Sequence, residues 1–203
     1  MHFSLADIIE QETGFRRNLI NSITGFKSLG LIGTASSVGV TNVAPFSQII
    51  HVGANPPYIG VLFRPHTVPR NTLQNILEVG SFTVNHVNEE FVNEAHLTSA
   101  RWSNSEFEAT GLTPEFLFDF KAPFVKESKV KFACELKERI DIQSNGTHLI
   151  IGEIKHIDIP KGIIGVDGFI DLEAAGTVTA SGLDSYHLTK LIRRLPYAKP
   201  VKG

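Results

Sequence analysis

The chain has 203 residues and one cysteine, so it is long enough to bury a hydrophobic core, and Cys134 has no partner for an internal disulfide. Its 19 Lys and Arg and 21 Asp and Glu give a formal net charge of −2, which argues against the basic surface that duplex nucleic acids attract. The first residues, MHFSLADIIEQETG, lack the basic and apolar regions of a signal peptide, and no apolar run reaches the roughly 18 residues of a membrane span. These features predict a cytoplasmic protein that binds neither nucleic acid nor a membrane.

Two helices are predicted in an N-terminal extension over about residues 1–26. Ser4 and Asp7 have the spacing of a helix-capping box, which indicates where the first helix begins. In the second helix, Phe15 and Ile23 belong to a set of apolar residues that recur three or four positions apart. Each helix therefore has its own sequence signal.

Extended segments make up most of the chain that follows. Apolar alternation predicts strands over residues 28–36, 46–52, 58–63, 81–87, 129–142 and 147–159. Asn145 and Gly146 favour a hairpin turn between the last two, because both accept the positive φ of such turns. Long antiparallel strands with interspersed helices predict a mainly β barrel with helical appendages. No repeat or linker divides residues 1–203, so we expect a single domain.

A helical tail is predicted over about residues 183–203. Leu188, Leu191 and Ile192 follow Tyr186 at helical spacing. The pattern therefore predicts that the last regular element is a helix.

Residues 34–47, TASSVGVTNVAPFS, place small and polar side chains between two predicted strands. We interpret the segment as a loop whose turn contains Ser36, Ser37, Gly39, Thr41 and Asn42. Small side chains let a ligand approach the backbone, whose N–H groups could donate to an acceptor-rich heterocycle. Neither serine has the sequence context of a catalytic nucleophile. An ordinary polar loop is the alternative.

A second segment, FRPHTVPRNTLQNILEVG, runs from Phe63 to Gly80 and contains a predicted helix. Arg64, Arg70, Asn71 and Thr72 stand before this helix or at its start. A helix N-terminus with free N–H groups, guanidinium groups and hydroxyls can bind a phosphate. A capped helix with solvated arginines is the alternative.

Further short motifs complete an ordered set. They are NPP at 55–57, FTVN at 82–85, TSA at 98–100, EFEATGL at 106–112 and GLDSY at 182–186. Together with residues 34–47 and 64–76, and in this order, they resemble the flavin reductase-like family of FMN-binding split barrels. The resemblance covers nearly the whole chain. It implies a six-stranded antiparallel Greek-key split barrel that forms a homodimer and holds FMN near the subunit interface.

The same resemblance implies which residues hold FMN. The flavin ring is expected against Thr34, Ala35, Ser36, Ser37, Asn42, Val43, Ala44 and Ser47. The phosphate is expected at Arg64, Arg70, Asn71 and Thr72. Many relatives have Lys-Asp-Thr where this chain has the last three of these residues, but a cation and a hydroxyl are retained.

The implied activity is hydride transfer from NADH or NADPH to bound FMN, followed by electron transfer to free flavin or another acceptor such as a monooxygenase. Hydride transfer needs two rings face to face and requires no acid, base or nucleophile from the protein. Backbone N–H groups of residues 36–44 could stabilise the charge that reaches the flavin. A flavin-binding electron carrier of the flavoredoxin type is the alternative, and a scaffold that has lost its flavin is a third possibility.

Two residues are candidates for the nicotinamide pocket. His96, in its Ala-His-x-Thr-Ser stretch, and Tyr186 resemble residues that lie near the flavin in relatives. The alternatives are a helix-end histidine bonded to a carbonyl and a tyrosine that belongs to the core. The eight histidines show no zinc-binding spacing, so no metal site is predicted.

Overall fold

The computed structural model describes residues 1–65 and 71–200. Its strands are β1 Gly30–Ala35, β2 Thr41–Phe46, β3 Ile49–Ala54, β4 Pro57–Phe63, β5 Ser81–His86, β6 Pro114–Glu115, β7 Phe124–Val125, β8 Lys131–Ile142, β9 Thr147–Asp158, β10 Val178–Ser181 and β11 Ser185–Leu188. Seven of them form one sheet in the order β2-β1-β5-β8-β9-β4-β3, and every neighbouring pair is antiparallel. The strands β6 and β7 form one two-stranded sheet, and β10 and β11 form another.

The sheet curls until its ends approach each other. Ile32 of β1 and Val61 of β4 share one buried cluster with Phe82 and Ile150, although β1 and β4 are separated by three strands in the sheet order. At the rim, Ser28 Oγ accepts from the backbone N–H of Ile49 at 3.1 Å and donates to its carbonyl at 2.8 Å. This contact links the residues before β1 to β3, so the barrel interior is closed on that side.

The outer face of the first strands is covered as well. Leu31 and Val43 are fully buried against a second cluster that contains Phe91 and Phe107. Consecutive residues Leu31 and Ile32 are both inaccessible to solvent because β1 packs on both faces. The apolar residues on both faces of β1 therefore reflect its burial between the barrel interior and this second cluster.

Residues 34–47 are not the loop that the sequence predicted. Ser36 to Val40 form a tight turn, in which Ser36 N–H donates to the Val40 carbonyl at 2.9 Å and Gly39 has a φ of 86°. Residues 41–46 then form β2, which gives the sheet seven strands where six were expected. Pro45 is tolerated because β2 is an edge strand and needs ladder bonds on one side only.

The helices are α1 Leu5–Glu10, α2 Thr13–Ser22, α3 Asn71–Val79, α4 Val92–Leu97 and α5 Glu106–Thr110, with short 3₁₀ helices at Glu89–Phe91 and Lys161–Ile163. The two N-terminal helices are present as predicted. The capping box is confirmed, because Ser4 Oγ accepts from Asp7 N–H at 3.3 Å and Ser4 N–H donates to Asp7 Oδ2 at 2.7 Å. Within the described part of the chain, no helix is long and apolar enough to cross a membrane.

The predicted C-terminal helix is wrong across the described residues. Tyr186 and Leu188 lie in β11, which pairs with β10 across a turn where Gly182 has a φ of 61°. Residues 189–200 have no regular secondary structure. Arg194 of this tail forms an ion pair with Asp167 at 2.6 Å. Helical spacing over so few residues could not exclude a strand followed by an extended tail.

Candidate functional site

A cleft of about 730 Å³ lies where β2, the end of β4, the start of α3 and the segment after α4 meet. Its volume falls within the range of small-molecule sites. The predicted residues that line it are Asn42, Ala44, Ser47, Arg64, Asn71, Thr72, His96 and Tyr186. The fold therefore gathers both predicted cofactor segments and both predicted nicotinamide-pocket residues around one space.

A second concavity, of about 740 Å³, lies between α3 and the β8–β9 hairpin. It is a more open groove whose lining includes Leu77, Glu78, Arg139 and His148. None of the predicted site residues that the structure describes lines this groove. We therefore take the 730 Å³ cleft as the candidate site.

Buried amides and hydroxyls connect three elements beneath the cleft. Thr34 Oγ1 accepts from Asn42 Nδ2 at 3.3 Å and from Asn75 Nδ2 at 3.1 Å. Asn42 Nδ2 also donates to Thr72 Oγ1 at 2.9 Å. Thr34 is 0% exposed, so it supports the cleft from behind and does not line it. The network joins β1, β2 and α3.

Two atoms of this network remain available to a ligand. Both Asn42 amide hydrogens are used, and its Oδ1 has no hydrogen-bond partner among the described residues, so it can act as an acceptor. Thr72 Oγ1 is used as an acceptor, and its own hydrogen has no acceptor among the described residues. The cleft thus presents one fixed acceptor and one fixed donor.

Four other predicted ring contacts have side chains away from the cleft. Ala35 and Val43 are buried in the protein, and Ser36 Oγ accepts from Val40 N–H at 3.0 Å within the turn. Ser37 donates to Glu78. The reason is the hairpin: Ser36 and Ser37 lie in its turn, and Val43 points to the opposite face of β2 from Asn42 and Ala44, which line the cleft. The predicted phosphate contact Arg70 lies outside the described residues.

Two cations approach one end of the cleft. Arg64 lines it and forms no ion pair or hydrogen bond with another described residue. Lys27 Nζ donates to the carbonyls of Asn21 at 3.1 Å and Gly182 at 2.8 Å. Burial, and then the nearby charge of Arg64, lower the pKa of Lys27. Two like charges close to each other favour a bound anion.

The other wall carries the bonded pair His96 and Tyr186. His96 Nδ1 and the Tyr186 hydroxyl are 2.6 Å apart, and the two rings meet edge to face with centroids at 5.8 Å. Burial raises the pKa of Tyr186, and the charge of Asp184 raises it further. The tyrosine therefore keeps its proton at neutral pH and can share it with His96.

Three residues in or beside the cleft were not assigned to the site from the sequence, which left open whether Trp102 packs a loop or covers the flavin. Arg101 and Trp102 line the cleft, and the Trp102 indole N–H donates to the Leu97 carbonyl at 3.0 Å. Lys27 is placed there by its contact with Gly182, 155 positions away in the chain. No local pattern marks such a contact. Arg101 follows directly after the motif TSA, which is the one sequence signal that could have drawn attention to it.

The described chain shows no group of metal ligands, and its one cysteine is buried. Across residues 1–65 and 71–200, no three His, Cys, Asp or Glu side chains are grouped so that they could hold a metal ion. Cys134 is fully buried, and burial raises the pKa of its thiol far above the usual range. The functional groups that line the cleft include amides, hydroxyls, guanidinium groups, aromatic rings and the Glu106 carboxylate.

A curled antiparallel sheet with a cleft beside its edge strand, lined in part by arginines, is the architecture of a split barrel. The sequence profile of the flavin reductase-like domain matches residues 26–166. The chain therefore belongs to the flavin reductase-like family. Membership implies that the protein binds a flavin and is an oxidoreductase.

Solved structures agree with this fold. A candidate flavin reductase with a split barrel domain from Shewanella frigidimarina is 50% identical, with a TM-score of 0.95 over 98% of this chain and 100% of that one. Nitrilotriacetate monooxygenase component B from Bacillus cereus is 24% identical, with a TM-score of 0.84 over 96% and 98% of the two chains. Flavoredoxin of Desulfovibrio vulgaris is 22% identical, with a TM-score of 0.76 over 98% of both. The last two show the shared fold, and the split barrel expected from the sequence is confirmed.

Proposed function

We propose that this protein is an FMN-containing flavin reductase that takes hydride from NADH or NADPH and passes two electrons to free flavin or another acceptor. The observation that carries the proposal is the cleft itself. In a member of a flavin-binding family, it joins a cationic end at Arg64 to a wall with a bonded His96–Tyr186 pair. One end suits a phosphate and the other suits an exchanging substrate.

The residues of the cationic end fit the phosphate of FMN. Arg64 has free donors, the Thr72 hydroxyl has a free hydrogen, and Lys27 lies close enough to Arg64 for their charges to interact. Guanidinium groups, hydroxyls and the first N–H groups of a helix are the usual ligands of phosphate monoesters. Arg70 is expected to join them from its position in the sequence. Lys27, Arg64 and Thr72 would therefore hold the phosphate.

The part of the cleft beside β2 fits the flavin ring. Ala44, Pro45 and Phe46 give it small and apolar surface at the edge of β2. Asn42 Oδ1 is held in place by the two bonds of its amide nitrogen, so it can accept from a ring N–H without first losing another bond. These residues would bind and orient the ring.

A bound flavin would supply the redox chemistry, because it accepts hydride from a dihydronicotinamide and releases electrons to an acceptor. The protein contributes position and polarity. Trp102 and Tyr186 restrict the opening of the cleft. The hydrogen bond of Tyr186 fixes the ring of His96 and leaves Nε2 of His96 without a partner among the described residues. His96 could thus donate or accept a proton at the cleft.

A homodimer is part of the proposal. Neither α1 nor α2 contains a buried residue, and the apolar side chains of Phe15 and Ile20 in α2 are exposed. Ile192 and Tyr197 of the tail are also exposed. A second copy would cover this apolar surface. Light scattering is expected to give twice the 22.3 kDa mass of one chain, and a monomer across the micromolar range would contradict a homodimer.

Anaerobic reduction tests the proposed function. Protein loaded with FMN is expected to lose its flavin absorbance when NADH or NADPH is added without air, and to regain it when oxygen or free flavin is admitted. If neither nucleotide bleaches a bound flavin that dithionite does reduce, the protein is an electron carrier of the flavoredoxin type. A protein that takes up no FMN would contradict both functions. If NADH or NADPH does bleach the flavin, the reduced protein can be tested for electron transfer to a flavin-dependent acceptor, such as a monooxygenase component.

A further inference from the structure

The cleft contains two arginines on different walls. Arg64 follows β4, whereas Arg101 lies after the end of α4. Neither side chain forms an ion pair or a hydrogen bond with another described residue. By contrast, Arg139 and Arg194 are paired with Asp141 and Asp167, at 2.7 Å and 2.6 Å. FMN has one phosphate, and a phosphate held at Arg64 leaves the second guanidinium group without an assigned ligand.

The backbone on both sides of Arg101 is fixed to α4. Ser99 Oγ donates to the His96 carbonyl at 2.7 Å, and Trp102 Nε1 donates to the Leu97 carbonyl at 3.0 Å. These bonds hold the segment that carries Arg101 beside the His96–Tyr186 pair, while the guanidinium group keeps all its donors. An anion bound there would lie beside the His96–Tyr186 pair, on a different element from the proposed flavin-ring contacts of β2.

We propose that Arg101 binds the phosphate chain of a nicotinamide dinucleotide. This inference rests on the proposed function, because NADH or NADPH is the other anionic molecule that the reaction requires. A guanidinium group bonds two phosphate oxygens at once. The sequence contains no Gly-x-Gly-x-x-Gly loop that could bind the pyrophosphate in the Rossmann manner. The dinucleotide therefore needs a cation from elsewhere in the protein.

The same wall also carries a carboxylate, which affects the net charge around a bound anion. Glu106 lines the cleft, and its side chain is not bonded to Arg101. It opposes a second anion close to its own position but can accept from ribose hydroxyls, which a dinucleotide also carries. Arg101 and Glu106 together fit a ligand with both phosphates and sugar hydroxyls, and a lone inorganic anion uses only one of them.

The test compares electron donors with and without phosphates. In FMN-loaded Arg101→Ala, the KM for NADH and NADPH is expected to rise at least tenfold, as befits the loss of a charge-assisted bond. The KM for N-benzyl-dihydronicotinamide, which has no phosphate, is expected to change less than twofold. Arg101→Lys should fall between the wild type and Arg101→Ala. Lys161→Ala removes an exposed positive charge outside the cleft and is expected to behave as wild type.

Direct binding provides a readout that does not depend on turnover. ADP-ribose carries the pyrophosphate but no nicotinamide, and calorimetry is expected to show that Arg101→Ala binds it at least tenfold more weakly. Equal losses with all three donors, or unchanged ADP-ribose binding, would overturn the role of Arg101 and leave the proposed function standing. Weaker FMN binding with unchanged ADP-ribose binding would assign Arg101 to the flavin instead. If no donor bleaches the wild type, the proposed function fails, and ADP-ribose binding still decides the role of Arg101.

Discussion

The two walls of the cleft are built in different ways. The wall formed by β1, β2 and α3 is held by buried side chains, in which Thr34 accepts from two amides and Asn42 reaches Thr72. The wall that carries His96 and Tyr186 is more exposed, and this bond joins segments 90 positions apart. A wall held by buried hydrogen bonds suits a ligand that stays bound, whereas a more exposed wall suits one that exchanges. We therefore assign the flavin to the first wall and the dinucleotide to the second.

Thr34→Val is expected to have the largest effect on stability, because it disrupts the hydrogen-bond network of the first wall. Valine keeps the shape but leaves the amide hydrogens of Asn42 and Asn75 without their buried acceptor, at about 2 kcal/mol each. The free energy of unfolding is expected to fall by about 4 kcal/mol in total, as measured by urea denaturation. FMN should also bind more weakly, because Asn42 and Thr72 line the cleft.

Thr34→Ser is the matched control because it keeps the hydroxyl. It is expected to stay within about 1 kcal/mol of the wild type. If valine and serine destabilise the protein equally, the network does not support the first wall.

Acid should destabilise the fold through a residue that belongs to neither wall. His86 Nδ1 is buried and has no hydrogen-bond partner among the described residues, and burial lowers the pKa of His86 to about 4. Above the ordinary pKa of 6.5 the residue is neutral in the folded and unfolded chain. As the pH falls from 6.5 towards 4, the unfolded chain binds a proton that the folded chain does not, so stability is lost by up to about 3 kcal/mol.

Urea denaturation between pH 7 and pH 4 measures this loss. The variant His86→Leu is expected to show a flatter dependence over the same interval, while other groups titrate equally in both proteins. Parallel pH profiles for wild type and variant would show that His86 does not carry the effect.

Local patterns predicted the N-terminal helices and the β8–β9 hairpin better than the strand β2 beside the cleft, and the reason is physical. Helices α1 and α2, the turn at Asn145 and Gly146, and the β8–β9 hairpin follow from local patterns. Strand β2 was missed because its Asn42 is satisfied by side chains of β1 and α3, so no apolar alternation marks it. Contacts of Lys27 with Gly182 and of His96 with Tyr186 depend on how distant segments meet. Local spacing contains no information about such contacts.

Removing the Arg64 side chain should weaken the binding of FMN but not that of a flavin without a phosphate. Arg64→Ala is expected to raise the Kd of FMN about 30-fold, which corresponds to the roughly 2 kcal/mol of a charge-assisted bond. The Kd of riboflavin, which lacks the phosphate, should be unchanged. Calorimetry with both flavins measures the difference, and an equal loss for riboflavin would move Arg64 away from the phosphate.

The smallest effect is expected on the second wall. Tyr186→Phe removes the bond to His96 and keeps the ring, so kcat/KM for NADH should fall about fivefold, equivalent to about 1 kcal/mol. FMN affinity should change less than twofold. Steady-state kinetics and flavin titration measure the two quantities, and a larger loss in FMN affinity than in kcat/KM would place Tyr186 with the flavin.

The chain contains a single tryptophan, and Trp102 lies in the wall of the cleft at 41% exposure. Titration of the purified protein with FMN, followed by tryptophan fluorescence, therefore tests most directly whether flavin binds in this cleft. We predict saturable quenching with one FMN per chain, and quenching by riboflavin only at higher concentrations. FMN that binds without quenching Trp102, or quenching that never saturates, would contradict the assignment of the flavin to this cleft.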